Sequence, residues 1–125
     1  MQPDSAVSAT DCTIDHEPVP DTQRAAGSPT TGSAVLGEFG GCEVGVWETT
    51  PGTMTDTEAD ELFVVVSGAA TVEFADGSPA LTLGPGDVVR LAAGTETVAD
   101  LLVLRKRLPG EPQLEASWLS LAEAV

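Results

Sequence analysis

The sequence predicts an all-β domain with a short helix near its C-terminal end. Three observations lead there. Cys42, Val44 and Val46 alternate with Glu43, Gly45 and Trp47, and a period of two marks a strand. Thirteen glycines and nine prolines among 125 residues favour many turns over long helices. From Ser33 onward the chain reads as seven or eight short strands with turns every six to ten residues. That is the pattern of a β-sandwich or barrel.

Residues 1–31 are rich in Pro, Ser, Thr, Asp and Ala and hold almost nothing bulky. They read as a disordered N-terminal tail. Residues 32–125 then form a single domain. Its first strand, over 33–40, is expected at a sheet edge, available to pair across a dimer. The strand containing CEVGVWE ends at TTPG, residues 49–52, and the polar stretch 53–60 reads as a loop or a thin edge strand.

ELFVVVS, residues 61–67, reads as a strand buried on both faces. TVEFADGSPALTL is a hairpin whose turn is supplied by Asp76-Gly77. GPGD at 84–87 is a tight turn, VVRLAAG a short strand and VADLLVLRKRL a long one. Leu114, Trp118, Leu121 and Val125 recur at spacings of four, three and four, and Pro112 suits a first helical turn. A helix over about 112–124 is therefore expected.

Charge excludes whole classes of partner. Twenty acidic residues face five basic ones, for a net charge of −15, and no Lys or Arg lies between Arg24 and Arg90. Nucleic acids and anionic membrane surfaces need basic patches, so neither is an expected partner. The sole histidine, His16, falls in the polar N-terminal segment. The folded part is then expected to lack an imidazole base, a Ser-His-Asp arrangement and a histidine-rich metal site. Cys12 and Cys42 have no CxxC neighbour, and Cys42 reads as a small buried hydrophobe. Cysteines this sparse, with no secretory leader pattern and no apolar span of about 18 residues, give a cytoplasmic expectation.

Glu61, the six residues after it and Gly68, followed by GPGDVVRLAAG at 84–94, resemble the two signatures of the cupin superfamily. GVWETTPG at 45–52, DELFVVVSGAATVE at 60–73 and LGPGDVVRLAAG at 83–94 resemble the small cupins related to ureidoglycine aminohydrolase and the ethanolamine-utilisation Q protein. The resemblance spans roughly residues 35–108. It implies a double-stranded β-helix, the jelly-roll barrel, and a homodimer.

Laid on the family pattern, Glu61 takes the place of the metal-binding glutamate, while Thr55, Thr57 and Thr97 take the places of the three histidines. No metal and no cofactor are expected from such a set, because Zn, Fe and Ni favour imidazole or thiolate. The spacing before the glutamate is variable. A slip of one residue puts Met54 and Asp56 at the first two positions, and Asp56 beside Glu61 makes a better cation site.

Period-two geometry sets Glu61, Phe63 and Val65 on one strand face. In a cupin that face is interior. Glu61 is the candidate catalytic residue: a carboxyl among apolar walls has its pKa raised and suits general acid or base work near neutrality. A carboxylate merely held by threonines, or a metal ligand, are its other readings. Trp47, Thr55, Thr57, Phe63 and Thr97 are the candidate pocket residues, Trp47 either as a stacking wall or as packing between sheets. Glu48 or Glu58 would serve as a second carboxylate, or else as solvated rim charges. Arg90, Arg105, Lys106 and Arg107 read as salt-pairing residues, with anion binding the lesser reading. Two functions follow. One is a metal-independent, aminohydrolase-like enzyme acting on a small amine or amide. The other is a non-catalytic ligand-binding or structural cupin.

Overall fold

A computed structural model describes residues 1–101 and 114–120 of the chain. Eleven strands are seen among them: β1 (Glu17–Pro18), β2 (Arg24–Ala26), β3 (Thr30–Phe39), β4 (Cys42–Thr49), β5 (Gly52–Thr57), β6 (Glu61–Ser67), β7 (Ala70–Phe74), β8 (Leu81–Leu83), β9 (Val88–Leu91), β10 (Glu96–Leu101) and β11 (Leu114–Ser120). They form two antiparallel sheets, a six-stranded one in the order β1-β3-β4-β11-β6-β9 and a five-stranded one in the order β2-β5-β10-β7-β8.

Turn chemistry carries the chain between strands. Asp76 Oδ1 accepts the Ser78 N–H at 2.9 Å, and Gly77 takes the positive φ of 80° that this hairpin needs. Asp87 Oδ2 accepts the Gly84 N–H at 2.8 Å and ties the GPGD turn.

Val65, Ala70, Val72, Leu83, Val89 and Leu91 form the buried core, with Trp47, Met54, Phe63 and Ala99 packed against it. Both sheets contribute, so burial of their facing sides is what holds the layers together.

Three expectations are corrected here. The strands do not close into a barrel. Each sheet keeps two edges, β1 and β9 in one and β2 and β8 in the other, among the described residues. Successive elements such as β4 and β5, or β9 and β10, change sheets, and among the described residues no strand bonds to both. The helix over 112–124 is also overturned, and no helix occurs among the described residues. Leu114–Ser120 is β11, hydrogen-bonded between β4 and β6. Without it, the facing backbone groups of both neighbours would lack ladder partners, a cost that outweighs a local helical pattern. Third, β6 is not buried on both faces: Leu62 and Val64 are exposed.

β3, expected at an edge, stands second in its sheet, with β1 beyond it. Of the long last strand, β10 covers Glu96–Leu101, while the remainder, with Arg105, Lys106 and Arg107, lies outside the described residues. Among those described, no helix is long and apolar enough to cross a membrane.

Residues 1–31 carry β1 and β2 and lie against the domain. Cys12, Ile14 and His16 are half-buried, alternating with exposed Thr13 and Asp15. The chain passes so close to Gly32 that a Cβ there would collide with the Asp15 carbonyl and the Ile14 side chain. Only glycine admits this crossing without a shift.

Candidate functional site

A cavity of about 270 Å³ lies between the sheets. Trp47, Met54, Phe63, Val72, Leu83 and Leu91 give it apolar walls, while Asp56, Glu58, Glu61 and Thr97 supply polar groups.

β6 explains why an acidic pair abuts an apolar strand. Glu61, its first residue, turns inward with Phe63 and Val65, whereas Asp60 turns away. Asp60 Oδ1 accepts the Ala93 N–H at 2.8 Å and the Arg90 guanidinium at 3.2 Å. Those bonds hold its carboxyl below the ordinary carboxylate range. Asp60 therefore pins the β5–β6 connection to the β9–β10 turn, with Glu61 beside it in the cavity. The Glu58 N–H donates to the Thr95 carbonyl at 2.8 Å, and the Gly94 N–H to the Glu58 carbonyl at 2.8 Å. These bonds fix Glu58 against the same turn.

The side chains then form a run. Thr97, 3 % exposed, donates from Oγ1 to Glu58 Oε1 at 2.7 Å. Glu61 sits beside Glu58 at the cavity wall, and hydrogen bonding between the two carboxyls lowers Glu58 and raises Glu61. Burial, then the neighbouring Glu58 charge, that hydrogen bond and the Asp56 charge push Glu61 up to about 7. Burial raises Glu58 as well, against the lowering effect of Thr97. Two carboxyls in one half-buried site share a proton more readily than both ionise.

The candidate residues divide. Trp47, Glu61, Phe63 and Thr97 line the cavity together. Thr55 and Thr57 do not; with Thr97 they line a shallower groove outside the five-stranded sheet. Met54 and Asp56, the residues of the slipped register, take the inward side of β5. Glu48 lies on the face of β4 opposite Trp47, buried at 2 % exposure, where His16 Nε2 meets its Oε1 at 2.7 Å. Thr30 Oγ1 holds the other ring nitrogen at 2.9 Å. The one imidazole of the chain is thus built into the fold on the far side of the sheet from the cavity.

Glu58, offered by the sequence as a second carboxylate or a rim charge, lines the cavity, and Gln23 joins it as a site residue that the sequence did not offer. Glu58 had only its proximity to Glu61 as a signal, and Gln23 had none, since it comes from the N-terminal segment.

The EutQ-like cupin domain model matches residues 36–107. No curated protein matches the chain. Solved structures do. A Rhizobium leguminosarum protein of unknown function is similar at 21 % identity and TM-score 0.58, over 72 % of this chain and 79 % of its own. A Pseudomonas syringae protein of unknown function aligns at 19 % identity and TM-score 0.69, over 88 % of this chain and 45 % of its own. A Salmonella typhimurium protein described as a putative ethanolamine utilization protein Q aligns at 14 % identity and TM-score 0.56, over 74 % of this chain and 70 % of its own. At these identities the structures speak to fold alone.

Proposed function

The chain belongs to the EutQ-like cupin domain family, and from that premise we propose that it takes a small amine- or amide-bearing molecule into the cavity between its sheets and exchanges a proton with it through Glu58 and Glu61. The observation that carries this reading is the Thr97–Glu58 hydrogen bond with Glu61 beside it at the wall of a largely apolar cavity. A proton held near neutrality, beside surfaces that suit a carbon skeleton, is the equipment of general acid–base chemistry.

In an aminohydrolase-like step, water attacks the carbon that bears the nitrogen. Glu58 takes the proton the water releases, and Glu61 gives its own to the departing nitrogen. The proton left on Glu58 returns to Glu61 through their shared hydrogen bond, and the pair is restored.

The metal usual in the cupin fold does not fit these residues. The cavity offers carboxyls and no imidazole, since His16 is engaged with Glu48. Among the described residues, no three His, Cys, Asp or Glu side chains are disposed to hold an ion.

The apolar wall favours one other reading, retention of a ligand without turnover. In both readings the protein works in a reducing cytoplasm, consistent with Cys12 and Cys42 as thiols.

A panel of small amines and amides tests the proposal, screened by thermal shift on wild type and Glu61→Gln, with ammonia release followed by NMR. Compounds that stabilise wild type and lose that effect in the variant support it, and ammonia release separates turnover from retention. Identical profiles for the two proteins would sink it.

A further inference from the structure

Part of the cavity wall comes from outside the family-matched segment 36–107. Val19, Pro20 and Gln23 line the cavity alongside the domain residues. They lie on a strap that bridges the two sheets: β1 pairs with β3 in one, and β2 with β5 in the other. The strap is tied at several points. The Val19 N–H donates to the Pro29 carbonyl at 3.1 Å, and the Thr55 N–H to the Gln23 carbonyl at 2.7 Å. Between them the chain bends tightly, with the Gln23 and Arg24 N–H groups both donating to the Pro20 carbonyl, at 2.8 and 3.0 Å.

That bend brings the Gln23 side chain to Asp56. Gln23 Nε2 donates to Asp56 Oδ1 at 3.3 Å, and the Thr57 N–H donates to the same oxygen at 2.8 Å. Gln23, Asp56 and Thr97 line both the cavity and the threonine-bearing groove outside it. The Gln23–Asp56 bond therefore stands at the boundary between the two spaces.

We infer that Gln23 contacts the ligand and determines specificity, its carboxamide selecting between neutral amides and cationic amines at the cavity boundary. This rests on the reading that the cavity takes such a molecule. With Nε2 given to Asp56, the Gln23 side-chain oxygen Oε1 is the acceptor for a ligand N–H. Asp56 and the Glu58–Glu61 pair, which holds one negative charge between its two carboxyls, already draw a cation. A neutral carboxamide beside them keeps the boundary open to an uncharged amide. A carboxylate at position 23 would add charge and shift the preference to ammonium.

Benzamide and benzylamine are suitable probes, nearly equal in shape and different in charge. Each is titrated into wild type, Gln23→Ala and Gln23→Glu full-length protein, and read at the Trp47 indole signal by NMR. Loss of one neutral hydrogen bond predicts benzamide binding about fivefold weaker in Gln23→Ala. In Gln23→Glu the benzylamine-to-benzamide ratio should rise by about fivefold or more. A role confined to holding the fold would weaken both probes alike and leave the ratio unchanged, and that result overturns the assignment of Gln23. Failure of wild type itself to bind either probe overturns the cavity reading, and the inference with it.

Discussion

Replacing Glu61 with glutamine should flatten the dependence of stability on pH between about 4.5 and about 7. The folded protein keeps a proton on Glu61 up to about pH 7, whereas the unfolded chain releases it near 4.5. Between those values the native state binds more protons, so stability falls as pH rises. The contribution is whole below 4.5 and lost as pH rises through about 7. At about 1.4 kcal/mol per factor of ten, full weight would be about 3 kcal/mol. Glu61 is only half-buried, and solvent screening reduces the expected figure to about 1–2 kcal/mol. Glutamine keeps an N–H donor for Glu58 and cannot ionise. Urea unfolding of both proteins, from about pH 5 to about pH 8, reads the difference. Wild type should lose about 1–2 kcal/mol more than Glu61→Gln across that range, leaving the variant the more stable at the alkaline end. Parallel curves would refute the reasoning, because they would mean that Glu61 ionises alike in both states.

Three further outcomes follow from other parts of the structure. His16→Ala removes the imidazole that meets the buried Glu48 carboxylate at 2.7 Å; chemical denaturation should show a loss of about 2–3 kcal/mol, part of it recovered by adding Glu48→Gln. Thr97→Val removes the 2.7 Å bond to Glu58, so the Glu58 carboxyl should ionise at higher pH in a carboxyl NMR titration, at a cost of about 1–2 kcal/mol near neutrality. Val65→Ala empties space at a side chain only 1 % exposed in the core, and a fall of about 2 kcal/mol in unfolding free energy is expected.

Local patterns revealed what local physics decides. The alternation through Cys42–Trp47 and the apolar run ELFVVVS identified two strands, and Asp76-Gly77 identified the hairpin between β7 and β8. The motifs around Glu61 and Gly68 led to the family whose model matches the chain. Features that depend on distant partners were not legible. β11 is a strand because β4 and β6 flank it, and nothing within Leu114–Ser120 records those neighbours. His16 and Glu48 are 32 residues apart, and neither advertises the other. Alternation puts Thr55 with Thr57 and Met54 with Asp56, but cannot say which pair turns inward. The register of β5 against β10 decides it, pairing Asp56 with Thr97. Barrel closure likewise turns on which edges meet, and no run of residues encodes that.

Carboxyl-labelled NMR on the Glu61 side chain, followed through a pH titration of the wild-type protein, tests the central claim most directly. A proton shared with Glu58 inside the cavity predicts a midpoint of about 7, with the Glu58 signal moving in the same transition. Ionisation of Glu61 at the ordinary 4.5, independent of Glu58, would contradict the proton-sharing pair and the chemistry proposed for it.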